Sequence, residues 1–423
     1  MNAIDRSPSV SFVSSDELSA LRAGVQEAYD GFVADLAMLV GIDCGSYTKA
    51  GVDRVGRWTA SFLEGLGARV ELVPDDSLGD TVVGVFDGEV SGPSVLLIGH
   101  MDTVFDPGTA AERPFTTDGT RAYGPGVTDM KAGLLAGLYA LRTLRAFGPG
   151  GSAGWLPVGR LVVIANPDEE IGSPVSTPVI RRHAAESDVA LVLECARANG
   201  DIVSSRKGVA DLLLTLTGRA AHAGVEPEKG RSAILEAAHK TVALHALSGR
   251  WPGVTCNVGV VRGGTRPNVV ASEARLEVDL RATTRDSMEA AEAELREVCE
   301  RSTVPDVTCR AEERHRHWPM EKLERSSRLV DHAVGLAAGI GFALTDAATG
   351  GASDANTTAG MGVPTIDGLG PVGGNDHSPA EYLELDSIVP RVSLLAGLLL
   401  AIGRDETVAG WRTERLARHA TAR

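Results

Sequence analysis

The chain is 423 residues long, with a formal net charge of −15 and 43% hydrophobic and 23% charged residues. Such a length and balance suit two or three packed domains and exclude wholesale disorder. The acidic balance, without a long Lys/Arg run, speaks against a nucleic-acid or anionic-membrane surface, and no stretch of about 18 uninterrupted apolar residues predicts a membrane span.

Taken in order, Met1 to Asp16 lacks the basic start and apolar block of a signal peptide. Ser15 to Gly41 reads as helical from Leu18, Leu21, Val25, Phe32, Leu36 and Val40, with Ser15 or Asp16 as cap. A second helix spans Gly51 to Leu66, and strands follow at Ala68–Val73, Thr81–Phe86 and Ser94–Ile98. Gly124 to Gly133 delivers Asp129 to the start of a helix, where it reads equally as an N-cap or as a ligand. A Gly-rich connection, Gly148 to Gly154, reads as a surface loop. Apolar strands at Leu161–Ala165 and Val189–Leu193 come next. From Lys207 the order becomes β-α-β-β-α-β, the ferredoxin-like pattern, ending in a short strand at Val307–Arg310. Helices at Arg325–Gly339 and Ser387–Ile402 and a strand at Val363–Gly368 complete the chain, with a basic, frayed tail after Asp405. The five cysteines are scattered without CxxC spacing and read as reduced thiols of a cytoplasmic protein.

The chemistry collects at strand ends. The run Leu96-Leu97-Ile98 stops at His100 and Asp102, whose side chains leave one face of an extended chain. Alone, such a histidine reads as a structural hydrogen-bonder. However, the strand ending at Ala165 runs into Asp168, Glu169 and Glu170, and the strand ending at Leu193 runs into Glu194. Ligands of open α/β sheets bind beyond the carboxyl ends of strands, and crowded acids are costly without a cation. With the late His377, the set suits two zinc-like ions. His100 and Glu194 would serve one ion, Glu170 and His377 the other, and Asp129 both, with Asp102 orienting His100. Glu169 would remain free as general base, passing a proton from water to a leaving amine.

Five segments carry a resemblance: Gly99-His100-Met101-Asp102-Thr103-Val104, Gly124-x-Gly126-Val127-x-Asp129-Met130-Lys131-x-Gly133, Asp168-Glu169-Glu170-x-Gly172, Glu194 and His377. Together they resemble metallopeptidase family M20, which holds glutamate carboxypeptidases, desuccinylases, acetylornithine deacetylases and aminoacylases. The resemblance implies a dinuclear amidohydrolase with two Zn2+ per subunit, Co2+ or Mn2+ being alternatives, and the ligand roles above. It implies a homodimer and a cis Asp129-Met130 peptide. Glu194 and the stretch Thr349 to Ala355 look most like the glutamate carboxypeptidases. The stretch Glu313 to Pro319 departs from that branch around its substrate-reading arginine.

In the inserted region, Gly218 to Gly224 resembles the segment whose histidine, here His222, stabilises the oxyanion from the partner subunit. Asn268 and Arg281 match positions that read the substrate carboxylate. Without the resemblance, His222 is a turn histidine and Arg281 a solvated strand-end arginine. Lys207 reads as structural.

The fold expected is a mixed-sheet α/β catalytic domain in two pieces, 1–206 and 317–423, with an inserted ferredoxin-like lid and dimerisation domain, 207–316. The function expected is hydrolysis of a small peptide or N-acyl amino acid at an amide next to a free carboxylate. Biosynthetic N-deacylation is the alternative, and a non-catalytic binding protein on the same scaffold is the remote one.

Overall fold

The computed structural model describes residues 12–88, 91–148 and 155–421. Most of the Gly-rich connection after Gly148 and of the stretch scanned for a signal peptide lies outside the described residues. The chain divides into two compact units, Met1–Ser204 with Lys322–Ala348 and Ser353–Arg423, and Ser205–Glu321 with Thr349–Ala352.

The first unit opens on two helices rather than one: α1 (Ser15–Glu27) and α2 (Tyr29–Val40), separated at Ala28. The break lets two apolar stripes, Leu18/Leu21/Val25 and Phe32/Leu36/Val40, each turn inward. The cap is Ser14. Its hydroxyl accepts the Glu17 N–H at 3.3 Å, and the Glu17 carboxylate accepts the Ser14 N–H at 2.9 Å, a reciprocal pairing that satisfies two end donors.

After α3 (Lys49–Gly65) come β1 (Arg69–Val73), β2 (Thr81–Asp87) and β3 (Ser94–His100). Then follow α4 (Ala132–Ala146), β4 (Arg160–Asn166), α5 (Thr177–Ala185) and β5 (Val189–Val192). Together with β10 (Thr365–Ile366), introduced late in the chain, they make a six-stranded sheet in the order β1-β2-β4-β3-β5-β10. The two outer pairings, β1 with β2 and β2 with β4, are antiparallel, while β4, β3, β5 and β10 run parallel. All seven residues of β3 are buried, as expected of a central strand covered on both faces. Consequently the carboxyl ends of β3, β4 and β5 open side by side.

Helix α4 covers the sheet, and after α8 (Glu324–Ile340) and α9 (Asp354–Gly360) comes α10 (Ile388–Arg404), which packs against α4; α4 and α10 are both buried nearly all round. The stretch Leu385–Arg404 is long and apolar enough to cross a membrane, but 83% of its apolar window is buried inside this unit. It also carries the buried Arg391, which donates to the carbonyls of Gly370 at 2.9 Å and Gly200 at 3.0 Å. The tail is helical, not frayed. Its helix, α11 (Trp411–Thr421), is held by buried Trp411 and by Arg415, whose guanidinium donates to the Ala184 carbonyl at 3.0 Å.

The second unit runs β6 (Gly208–Thr217), α6 (Ala233–His245), β7 (Thr255–Gly263), β8 (Glu273–Ala282), α7 (Arg285–Glu300) and β9 (Thr308–His317). Its antiparallel sheet has the order β7-β8-β6-β9, the ferredoxin-like arrangement. Leu214, Leu216, Leu276 and Leu280 from the sheet share a core with Ala237 and Leu244 of α6 and Met288 and Leu295 of α7. The last strand is longer than its apolar start at Val307–Arg310 suggests. The extra residues are charged and pair along β6 across a bulge at Glu313/His315.

Candidate active site

The site lies at the open ends of three neighbouring parallel strands. β3 runs two residues beyond its apolar block, so His100 is its last residue and is 1% exposed. Its Nδ1 lies 3.0 Å from the Asp102 carbonyl oxygen and 3.3 Å from Asp102 Oδ1. Two acceptors there favour a proton on Nδ1, so in the neutral ring it is the Nε2 lone pair that faces the acids. Nε2 lies 3.2 Å from Asp129 Oδ1 and 3.9 Å from Glu194 Oε1. Burial opposes charging His100, but Asp102, Asp129 and Glu194 overcome it and hold the imidazole well above its ordinary range.

Asp129 sits in a kinked turn, Val127–Lys131, just ahead of α4. Its backbone is non-helical (φ −112°, ψ 95°), and no side chain caps the helix that follows. The N-cap reading is therefore overturned. The carboxylate is divided between two imidazoles instead: Oδ1 toward His100 and Oδ2 toward His377 Nε2 at 3.1 Å. Burial works against ionising Asp129, yet these two imidazoles draw it below the usual carboxylate range. The Asp129-Met130 peptide is cis, as the resemblance implies.

His377 stands on the segment beyond β10. Asn375 (φ 58°) and His377 (φ 59°) both adopt the left-handed conformation, which costs energy for residues with a Cβ and is held where surroundings over-determine it. The twisted loop places His377 Nε2 3.1 Å from Glu170 Oε2 as well. Asp129 and Glu170 raise this imidazole to about 10.

Glu169 and Glu170 lie on a single 3-10 turn, Glu169–Ile171, that follows β4. Both backbone N–H groups are held by Asp102, whose Oδ1 accepts from Glu169 and Oδ2 from Glu170, each at 3.2 Å. Ser46 donates to the same Asp102 Oδ2 at 2.7 Å. Burial, and next the charge of Glu194, pushes the Glu169 carboxyl well up. Burial likewise raises Glu170, whose Oε1 is buried without a hydrogen-bond partner.

Ligand atoms of His100, Asp129 and Glu170 lie within 4.8 Å of one another, as do those of His100, Glu169 and Glu194. Oxygen and imidazole donors converge, carboxylates crowd together, and one buried carboxylate oxygen lacks a donor. These residues fit divalent cations of the zinc type, which would neutralise the crowding and engage that oxygen.

Three expected residues belong to the second unit. His222 is exposed, and its Nδ1 accepts the Gly224 N–H at 3.1 Å, so a neutral ring carries its proton on Nε2. Asn268 lies in the turn just before Val269, which bridges His222, and its carbonyl accepts the Ala223 N–H at 3.0 Å. Arg281 is engaged by Asp279, Nε to Oδ1 at 3.0 Å and Nη2 to Oδ2 at 2.9 Å, and donates from Nη1 to the Gly350 carbonyl at 2.8 Å. Arg316, in the stretch that departs from the glutamate carboxypeptidase pattern, is taken up by Glu292 at 2.7 Å and Glu313 at 2.6 Å.

Sequence reasoning missed Ser46 and Glu381. Ser46 is one of many serines, and only the bridge of Gly45 to Thr103 brings it behind Asp102. Glu381 is 1% exposed and accepts three backbone N–H groups around Asp129. Bonds to backbone leave no residue pattern to read.

A mixed sheet with imidazoles and carboxylates gathered at its parallel strand ends defines a metal-dependent hydrolase. The chain belongs to peptidase family M20/M25/M40, whose model matches residues 96–401; it is a metallohydrolase acting on peptide or amide bonds. It is 30% identical to carboxypeptidase G2 of Pseudomonas sp. (strain RS-16) over 376 residues, 88% of this chain and 89% of that one. It is 51% identical to the indole-3-acetyl-aspartic acid hydrolase of Enterobacter agglomerans over 71 residues, 16% of each chain. The fold is shared with the aminopeptidase PepT of Bacillus cereus (TM-score 0.73, 22% identity, covering 92% of this chain and 99% of that one).

Proposed function

We propose that this enzyme hydrolyses an amide bond next to a free carboxylate and releases an amino acid, in the manner of a glutamate carboxypeptidase. The observation that carries the reading is the division of Asp129 between His100 and His377, one oxygen each, with Glu169 close to His100 and Glu194. His100, Glu194 and Asp129 would hold one zinc ion, and Glu170, His377 and Asp129 a second. Bound ions of this kind supply Lewis acidity and ease the deprotonation of water.

The protein's own part follows from its geometry. Asp102 holds His100 in one tautomer and fixes the turn carrying Glu169 and Glu170. Among the described residues, no donor hydrogen-bonds the Glu169 carboxylate. A carboxylate left free beside the proposed ligand Glu170 suits a group that takes a proton from the attacking water and returns it to the leaving nitrogen. His222 offers an exposed Nε2–H for a developing oxyanion. Asn268 and Arg281 are the proposed readers of the substrate carboxylate. Asp279 and Gly350 leave part of the Arg281 donor fork uncommitted.

A cleft of about 290 Å³ adjoins Glu170, walled by Tyr47, Val104 and Phe105. Tyr47 is 79% exposed, and among the described residues the charged groups lining this cleft are the acids Asp106 and Glu170, with no lysine or arginine. It suits a neutral, apolar acyl group better than an anionic succinyl group, in keeping with the name of the indole-3-acetyl-aspartic acid hydrolase.

The reading includes a homodimer. β7 is an edge of its sheet, and Val261 on it is 53% exposed. On α6, Ile234, Leu235 and Val242 are 45, 51 and 74% exposed. An open edge beside exposed apolar side chains suits a second copy, and light scattering of the purified protein checks it. A cytoplasmic setting is part of the proposal, supported by five unpaired cysteines.

The test joins metal quantification to a panel of N-acyl-glutamates, dipeptides and acetyl- or succinyl-diamino acids. Two equivalents of metal per subunit with fastest cleavage of N-acyl-glutamates is the expected result. Preference for the diamino acids would select the deacylase. No bound metal and no cleavage after zinc or cobalt addition would favour the binding protein.

A further inference from the structure

Beyond the ligands themselves, one buried acid touches the site from behind. Glu381 is 1% exposed. Its Oε2 accepts the Gly126 N–H at 2.9 Å, and its Oε1 accepts those of Thr128 at 2.9 Å and Asp129 at 3.1 Å. These donors lead into α4 and have no intrahelical acceptor of their own, so one carboxylate satisfies three helix-entry N–H groups.

The placement is coupled to His377. Residues 373–384 form one excursion of the chain, in which Gly373–Gly374 pairs with Tyr382–Glu384 and the latter pairs with Arg121–Tyr123. That excursion supplies His377, which meets the Asp129 carboxylate at 3.1 Å, and Glu381, which grips the Asp129 backbone. The approach is close. A Cβ on Gly373 would lie 2.0 Å from Thr128 Oγ1, so only glycine lets the two segments meet there. Asp129 is thus gripped by its backbone on one side and met by imidazoles on the other.

We propose that Glu381 is a positioning residue for metal capture: it sets the Asp129 turn, and its register with His377, before any ion binds. The inference rests on Asp129 and His377 being ligands, as proposed above. Pre-set ligands bind more tightly because less ordering accompanies binding. Partners that orient ligands typically change metal affinity by about 10–100-fold when lost.

The experiment uses the full-length enzyme stripped with chelator. Zinc affinity is measured by competition with a chromophoric chelator, and Tm with and without a fixed excess of free zinc. Glu381→Gln is expected to weaken zinc binding by about 10–100-fold and to shrink the zinc-induced rise in Tm, because that rise follows affinity by mass action. Glu381→Asp, one methylene shorter, is the second variant should the first not fold. Asp405→Asn serves as the comparison. Asp405 is a buried acid that holds Arg328 and His332 away from the strand ends, so this variant should lower both Tm values and leave the zinc increment intact. Zinc affinity within about twofold of the parent in the Glu381 variants, with equal Tm losses in both forms, would overturn the proposal. A parent enzyme that binds no zinc would remove the ligand assignment itself and the inference with it.

Discussion

The carboxylate of Asp102 accepts the backbone N–H of Glu169 at 3.2 Å while lying 3.3 Å from His100 Nδ1. Two strand ends, β3 and β4, are thereby tied through one buried side chain. Asp102→Ala leaves the Glu169 and Glu170 N–H groups and the Ser46 hydroxyl without their acceptor and frees His100 to change tautomer. Zinc affinity should fall by about 10–100-fold, measured by chelator competition. Unchanged affinity would separate Asp102 from the metal centre.

Glu169→Gln preserves shape and hydrogen-bonding reach but cannot carry a proton. Two metal equivalents should remain while kcat falls by about 10²–10⁴-fold, with KM little changed. Full turnover in that variant would take Glu169 out of the proton-transfer role.

Gly133 opens the second residue of α4 to the strand that delivers Glu194. A Cβ there would lie 1.9 Å from the Leu193 carbonyl oxygen, a backbone atom with nowhere to go. Gly133→Ala should destabilise the fold by about 1–3 kcal/mol, as overpacking does, and displace Glu194. Chemical denaturation gives the first effect and metal content the second; a parent-like midpoint would contradict the tight contact.

Hydrogen bonds from Arg404 hold the Glu17 carboxyl at about 2, well below its ordinary 4.5. Because the folded value is depressed, the pair stabilises the protein fully above about pH 4.5, and that contribution fades as pH falls toward 2. Arg404 is 38% exposed, so solvent limits the effect to about 1 kcal/mol. Glu17→Gln should cost stability at pH 7, and the difference from the parent should shrink below about pH 4.5 and close near pH 2 in urea melts. A constant difference across that range would assign the loss to something other than this charge.

What could be read in advance was whatever left a residue pattern. Apolar blocks ending in His100, Glu170 and Glu194 recur three times, and that repetition marks the site. Asp129 was ambiguous because a helix cap and a ligand look alike on one segment; only His377, distant in the chain, separates them. The break at Ala28 was invisible because α1 and α2 each keep helical spacing on their own side of it. The docking of α11 depends on Arg415 finding a carbonyl at Ala184, a partner without side-chain identity. Glu381 is the sharpest case, an acid that looks like surface and is buried against amide hydrogens.

The first unit is written in separated stretches, and His377 lies beyond the whole of the second unit in the chain. During synthesis, His100, Asp129, Glu170 and Glu194 emerge long before their last partner. On the proposed ligand set, a nascent chain therefore carries acids and one imidazole but lacks the second imidazole until the segment beyond the second unit has followed. The proposed centre would then form only after the whole second unit has emerged, once the segment carrying His377 folds against Asp129 and Glu170.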